Sequence, residues 1–128
     1  MKMLLTLVAA LTLATAAYAG QFPDITITEL KASIETKQVT LLDVNGTTSY
    51  QSGHIPGAID YTAVKKDLAK VLPKDKNALV VAYCGGPACG AYQAAAKAAK
   101  DLGYKNVKHL AAGISGWKEA KETIEKAN

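Results

Sequence analysis

The chain has two cysteines, and both lie in one short loop, Tyr83–Gly90 (YCGGPACG). An apolar run precedes the loop and an alanine-rich run follows it, so Cys84 stands where a predicted strand ends and a helix begins. Unpaired N–H groups at a helix start carry partial positive charge, which lowers the pKa of a thiol placed there. Gly85 and Gly86 allow the backbone to curl so that several N–H groups converge on the sulfur. The pattern indicates a reactive thiol; a buried structural cysteine at a strand end is the alternative.

Alternating strand-like and helix-like segments predict how this loop is positioned. The apolar, strand-like runs cover residues 25–27, 39–44, 58–60, 78–83 and 107–110. One helix-like segment begins after a cap at Thr28. Three others cover residues 62–72, 90–102 and 114–126. This alternation predicts an α/β fold with a central, mainly parallel sheet of about five strands and helices on both faces. Ligands bind such sheets beyond the carboxyl ends of the strands, which points to the loops after Val44, Tyr83 and Leu110.

Four separated motifs make the chain resemble the rhodanese-like (sulfurtransferase) domain over nearly all of residues 20–128. They are Leu41-Leu42-Asp43-Val44, Gly53-His54-Ile55-Pro56-Gly57-Ala58, the Cys84 loop behind Val80-Val81-Ala82-Tyr83, and Gly103-Tyr104 to Val107 followed by Gly113-Ile114-Ser115-Gly116-Trp117. Each motif is weak alone, but their order and spacing together are specific.

The resemblance implies a rhodanese-like fold in which Cys84 takes a sulfane sulfur from a donor as a persulfide and passes it to a nucleophile. The donor would be a small sulfur compound (polysulfide, persulfide or thiosulfate) and the acceptor a thiol. The N–H groups of Gly85, Gly86, Ala88, Cys89 and Gly90 would then stabilise the persulfide anion. The family pattern implies no cofactor.

The loop departs from that family at three positions. Cys89 stands where a basic residue is usual, Pro87 has no N–H to donate, and Asn45 follows Asp-Val where arginine is common. All fifteen basic residues are lysine, so the bidentate anion grip of arginine is absent from the sequence. Because thiosulfate is a dianion, we expect it to be a poor donor compared with persulfides or polysulfides.

Cys89 itself admits three interpretations. It could be a resolving thiol that attacks the persulfide on Cys84, releases sulfide and closes a disulfide. It could form a redox switch with Cys84, or a structural disulfide, which paired thiols tend to form in an oxidising compartment. A curled loop can bring the two α-carbons within the ~4.4–6.8 Å that a disulfide allows, and so short a ring gains little chain entropy. Two further classes of function remain open: a thiol–disulfide redox protein with a protein partner, and a rhodanese-fold binding module that does not need Cys84.

Residues 1–19 have the features of a cleaved signal peptide. Lys2 precedes an apolar run from Leu4 to Ala14, and Ala17-Tyr18-Ala19 forms a small-x-small cleavage site. The run is shorter than the roughly 20 residues that span a bilayer. We therefore expect an exported, periplasmic protein whose single domain covers residues 20–128, with no membrane insertion after cleavage.

Composition and spacing exclude other classes. The net charge of +4 comes from lysines interleaved with acidic residues, which is typical of a solvated face and not of nucleic-acid binding. Two cysteines and two scattered histidines lack the spacing of a metal site. We expect a structural role for His54 and a structural or exposed position for His109, and we expect Asp43 to bond the neighbouring loop or His54.

Overall fold

The computed structural model describes residues 22–127 and contains a four-stranded parallel sheet. The strands are β1 (Thr40–Asp43), β2 (Ile59–Asp60), β3 (Leu79–Tyr83) and β4 (Asn106–His109), in the order β2-β1-β3-β4. β3 is central and pairs with β1 and β4, with Leu41 opposite Val81 and Val81 opposite Lys108. Its unbroken apolar sequence is typical of a strand that is covered on both faces.

Six α-helices accompany the sheet in the described residues. They are α1 (Ile27–Glu35), α2 (Thr47–Ser52), α3 (Tyr61–Val64), α4 (Leu68–Val71), α5 (Tyr92–Asp101) and α6 (Gly113–Glu119), and a 3₁₀ turn at Lys65–Asp67 separates α3 from α4. The segment predicted as one helix over residues 62–72 is therefore three short turns.

Two apolar clusters cover the two faces of the sheet, which confirms the predicted α/β arrangement. Leu42 and Ala82 pack with the small residues of α5, Ala95, Ala96 and Ala99. Their neighbours Leu41 and Val81 point to the other face and pack with Leu30 of α1 and Trp117 of α6. Successive residues of a strand face opposite sides, so adjacent leucines serve both clusters.

The prediction of about five strands is wrong by one, because residues 25–27 do not form a strand. Asp24 makes only an isolated parallel bridge to His109, with Ile25 N–H donating to the His109 carbonyl at 2.8 Å. α1 begins immediately afterwards, since Thr26 and Glu29 form a reciprocal capping box. The N-cap is Thr26 and not the expected Thr28.

The last helix also ends earlier than predicted. α6 stops at Glu119, and Lys121 adopts a positive φ of 58° that turns the chain away. The following segment returns to the Gly53–Gly57 loop, where His54 and Glu125 exchange two backbone hydrogen bonds of 2.9 Å. The Trp117 indole N–H donates to the Thr123 carbonyl at 2.8 Å and secures this return.

The predicted signal peptide, residues 1–19, lies outside the described residues. Among residues 22–127, no helix has the length and apolarity needed to cross a bilayer.

Candidate active site

Cys84 lies at the carboxyl end of β3, where the loops after β1, β3 and β4 meet. The Tyr83 carbonyl accepts a hydrogen bond from Val44 N–H at 3.0 Å, and the Cys84 carbonyl accepts one from Ile114 N–H at 3.0 Å. Ser115 N–H donates to the Gly85 carbonyl at 2.9 Å. The start of α6 is thus bonded to the backbone of the cysteine loop, as expected for loops at one edge of a parallel sheet.

Gly113 makes this close approach possible. It has a φ of +61°, and a β-carbon placed on it would lie 2.6 Å from backbone atoms of Cys84, Gly85 and Gly86. Only glycine combines this conformation with the absence of a side chain.

A disulfide joins Cys84 to Cys89, with the two α-carbons 6.2 Å apart. The loop closes through a turn in which Cys89 N–H donates to the Gly86 carbonyl at 3.1 Å. Cys84 is buried, with 3% of its surface exposed, and its sulfur lies 3.3 Å from the Cys89 carbonyl oxygen. Cys89 is only half-buried. The sequence left open whether the two cysteines pair, and the structure pairs them.

The remaining residues that the sequence singled out, Gly85, Gly86, Ala88 and Gly90, lie in the same loop as the disulfide. Within residues 22–127, no protein acceptor takes a hydrogen bond from the N–H groups of Gly85, Gly86, Ala88 or Gly90. These groups belong to the same short loop as Cys84. The Cys89 N–H is used by the turn to Gly86 while the disulfide is closed.

Tyr83, which the sequence did not mark as functional, connects two of the neighbouring loops. Its hydroxyl donates to Asp43 Oδ2 at 2.6 Å and accepts from Ile55 N–H at 3.0 Å. Asp43 Oδ1 in turn accepts from Asn45 N–H at 2.8 Å. Burial, together with the bond to Asp43, raises the pKa of Tyr83, so the hydroxyl remains a proton donor. The chain of bonds holds Asn45 beside the cysteine loop.

The sequence comparison identifies the family to which this site belongs. A family model described as the rhodanese-like domain matches residues 26–120. The chain belongs to the rhodanese-like domain family.

Three proteins illustrate the likeness. The chain is 39% identical over 97 residues to the HTH-type transcriptional regulator Rv0324 of Mycobacterium tuberculosis, covering 75% of this chain and 42% of the regulator's length. It is 29% identical over 104 residues to the thiosulfate sulfurtransferase GlpE of Shewanella oneidensis, covering 79% and 97%. The crystal structure of BH2092 from Bacillus halodurans superposes with a TM-score of 0.69 at 29% identity, covering 81% and 77%.

Each histidine of this rhodanese-like domain stacks on a tyrosine ring. His54 Nδ1 donates to the Tyr50 carbonyl at 2.8 Å, and its ring stacks on the Tyr50 ring with centroids 3.8 Å apart. His109 stacks on Tyr92 with centroids 4.3 Å apart. Asp43 bonds Asn45 and Tyr83, not His54. Residues 22–127 also contain no group of three or more His, Cys, Asp or Glu side chains able to hold a metal ion.

The loops at this edge of the sheet contain no charged residue of their own, although the carboxylates of Asp24 and Asp60 accept hydrogen bonds from Ala111 N–H at 2.8 Å and from the Thr47 hydroxyl at 2.6 Å. We call the loop segments 45–49, 84–91 and 111–115 the uncharged rim, because none of them contains Asp, Glu, Lys or His. A pocket of about 290 Å³ adjoins the rim and is lined by Asn45, Thr48, Ser49, Ser52, Gly53, Ile114 and Lys118. A larger pocket of about 580 Å³ lies by Tyr104 and Asn106, at the opposite end of the sheet. The pocket beside the rim is thus lined by hydroxyl, amide and apolar groups together with the side chain of Lys118.

Proposed function

We propose that this rhodanese-like protein carries sulfane sulfur on Cys84. The Cys84 thiolate attacks the outer sulfur of a persulfide or polysulfide, a Cys84 persulfide forms, and the shortened donor leaves as a thiolate or hydrosulfide. Membership of a family that includes thiosulfate sulfurtransferases supports this chemistry. So do four N–H groups of the Cys84 loop that have no acceptor among the described residues, because unpaired N–H groups that reach an anion stabilise it.

Cys89 completes the proposed reaction as a resolving thiol. Its thiolate attacks the inner sulfur of the Cys84 persulfide, a Cys84–Cys89 disulfide forms, and the outer sulfur leaves as hydrosulfide. The two cysteines lose two electrons in total, and the sulfane sulfur gains them. The disulfide between these cysteines is the observation that carries this proposal, since it is the bond that the step produces.

The uncharged rim supports a donor preference. A dianion gains little attraction from a site whose loops contain no cation, and no arginine is present anywhere in the sequence. We expect kcat/KM for thiosulfate to be at least about tenfold lower than for a persulfide or polysulfide. Steady-state sulfide release with each donor measures the ratio, and comparable values would contradict the preference.

Intact mass spectrometry tests the sulfur chemistry. The protein is reduced, freed of reductant and mixed with polysulfide, and masses are recorded over time beside Cys84→Ser and Cys89→Ser. We expect a transient gain of one sulfur atom in the wild type, followed by the loss of two hydrogen atoms. The sulfur adduct should persist in Cys89→Ser and be absent from Cys84→Ser. No adduct in either wild type or Cys89→Ser would overturn the proposal.

The disulfide also supports a second function, a thiol–disulfide redox protein that needs no sulfur donor. In that case the reduced protein would exchange with disulfide substrates, and polysulfide would produce the disulfide without any sulfur adduct in Cys89→Ser. The same experiment therefore separates the two functions.

We further propose that the protein is exported to the periplasm. The charged, apolar and cleavage regions of residues 1–19 support export, and an oxidising compartment favours a closed disulfide. Amino-terminal sequencing of protein recovered from a periplasmic fraction should begin at Gly20. Recovery of the uncleaved chain from the cytoplasm would contradict export.

A further inference from the structure

We infer that a thiol reductant opens the disulfide by attacking the sulfur of Cys89, and that Cys84 is the leaving group. The inference rests on the proposed function, because this step regenerates the Cys84 thiolate for another cycle. It assigns the two cysteines opposite roles, Cys89 receiving the partner and Cys84 receiving the sulfur donor.

Cys84 is more buried than Cys89, as expected if the reductant attacks Cys89 and Cys84 leaves. Cys84 is 3% exposed, whereas Cys89 is half-buried beside the exposed residues Pro87, Ala88 and Gly90. A thiolate attacks a disulfide sulfur along the extension of the S–S bond, on the side away from the leaving sulfur. Cys89 is therefore the cysteine more accessible to a thiol from solvent.

The start of α6 packs on the backbone of Cys84 and Gly85. Ile114 and Ser115 N–H groups donate to the carbonyls of Cys84 and Gly85 at 3.0 and 2.9 Å. Gly113 leaves no space behind them, because even a β-carbon there would meet backbone atoms of Cys84 and Gly85 at 2.6 Å. These contacts fix the backbone of Cys84 in its buried position, whereas no such packing covers Cys89 among the contacts that α6 makes within residues 22–127.

Cys84 is also the better leaving group. A disulfide sulfur leaves faster when its thiolate is stabilised. The N–H groups of Gly85 and Gly86, next to Cys84 in the chain, have no acceptor among residues 22–127 and can turn to the sulfur that is released. Cys89, by contrast, would leave with its own N–H already donated to Gly86.

The step balances as an ordinary exchange. A thiolate R–S⁻ forms a bond to Cys89 sulfur, the Cys84–Cys89 bond breaks, and its electron pair remains on Cys84 as a thiolate. A second thiol on the partner then attacks the mixed disulfide, so that the partner becomes oxidised and Cys89 becomes a thiolate. A dithiol partner supplies both electrons.

The uncharged rim indicates the chemistry of this partner. The exposed residues around Cys89, namely Pro87, Ala88, Gly90 and Ala91, are small and uncharged. A protein dithiol set in a neutral, apolar surface can approach them without burying an unpaired charge. Exchange should therefore be insensitive to ionic strength, which weakens only charged encounters.

Trapping locates the attacked sulfur in the wild-type disulfide. The oxidised protein is treated briefly with 2-mercaptoethanol, quenched with excess N-ethylmaleimide and mapped by peptide fragmentation. We expect mercaptoethanol on Cys89 and maleimide on Cys84 in at least about tenfold excess over the reverse. Equal labelling, excess mercaptoethanol on Cys84, or a protein that forms no Cys84–Cys89 disulfide on oxidation would overturn the inference.

Two controls test why the reductant attacks Cys89. In guanidinium chloride the preference should fall to about twofold or less, since burial no longer protects Cys84. A preference unchanged by unfolding would show that position in the loop, not burial, directs the attack. With the anionic thiol 2-mercaptoethanesulfonate, the native rate should change less than about twofold between low and high salt. The assay needs no sulfur donor, so its result is independent of persulfide formation.

Discussion

The Tyr83 side chain stabilises the loops next to Cys84 through the hydrogen bonds of its hydroxyl. Its hydroxyl is bonded on one side to Asp43 and on the other to Ile55, and all three residues are buried. Buried polar groups cannot form hydrogen bonds with water and depend on each other for them. Removing one group therefore takes a hydrogen bond from each of its partners.

We expect Tyr83→Phe to lower the free energy of unfolding by at least about 2 kcal/mol, because it leaves Asp43 Oδ2 and Ile55 N–H each without a partner, while Asp43 Oδ1 keeps its bond from Asn45. Chemical denaturation measures the change. Tyr61→Phe is the matched control, since the Tyr61 hydroxyl bonds to none of residues 22–127. A loss no larger than that of the control would contradict a structural role for the Tyr83 hydroxyl.

His109 makes stability depend on pH. Burial lowers its pKa below the 6.5 of an exposed histidine, although Asp24 opposes the shift. The unfolded chain therefore binds a proton more readily, and the free energy of unfolding should fall as pH drops below about 6.5. Denaturation at about pH 8 and about pH 5 should show a smaller decrease for His109→Gln than for the wild type. Parallel pH profiles would contradict this assignment.

Among the elements, the start of α6 has the closest relation to the chemistry. Gly113 brings this helix against the loop that contains Cys84, in a backbone conformation that other residues rarely adopt. The motif Gly113-Ile114-Ser115-Gly116-Trp117 was visible in the sequence, but its contact with Cys84 was not, because it depends on the pairing of β3 with β4.

We expect Gly113→Ala to lower the free energy of unfolding by about 2–4 kcal/mol and sulfide release by at least about tenfold, since the added carbon displaces the cysteine loop. Gly57→Ala is the control: it has a φ of +81° but nothing within 4 Å of the new carbon. Its cost should be about 1 kcal/mol, with activity unchanged. Similar effects of both variants would mean that backbone strain alone, not the contact with the loop, matters.

The secondary-structure elements differ in how well the sequence predicts them. The apolar run at Leu79–Tyr83 predicted the central strand because burial on both faces leaves a composition signal. Residues 25–27 also look like a short strand, with Ile25 and Ile27 on either side of Thr26, yet the Thr26–Glu29 capping box starts a helix there. The box is present in the sequence, and it outweighed strand propensity. The pairing of Glu125 with His54 has no local sequence signal, because the two residues lie far apart in the sequence.

At the scale of the molecule, stability comes from two apolar clusters and not from the disulfide. Leu30, Leu41, Val80 and Val81 are all fully buried, and they lie on both faces of the sheet. The disulfide spans a sequence separation of only 5, so it restricts the unfolded chain little.

Reduction should therefore lower the free energy of unfolding by no more than about 2 kcal/mol. Denaturation with and without dithiothreitol measures this difference, and Cys89→Ser without dithiothreitol should resemble the reduced wild type. A protein that unfolds on reduction would contradict the redox cycle, since an active thiol must survive in a folded domain.

The backbone hydrogen bonds between His54 and Glu125 affect the order in which the protein folds during translation. His54 lies between β1 and β2, whereas its partner follows every strand and helix of the described chain. During translation the loop of His54 emerges first and remains without these two hydrogen bonds until the segment after α6 leaves the ribosome. Contacts between distant positions form slowly, so closure of this pair should come late in folding. Amide exchange at His54 and Glu125 should accordingly report completion of the domain, and not formation of its sheet.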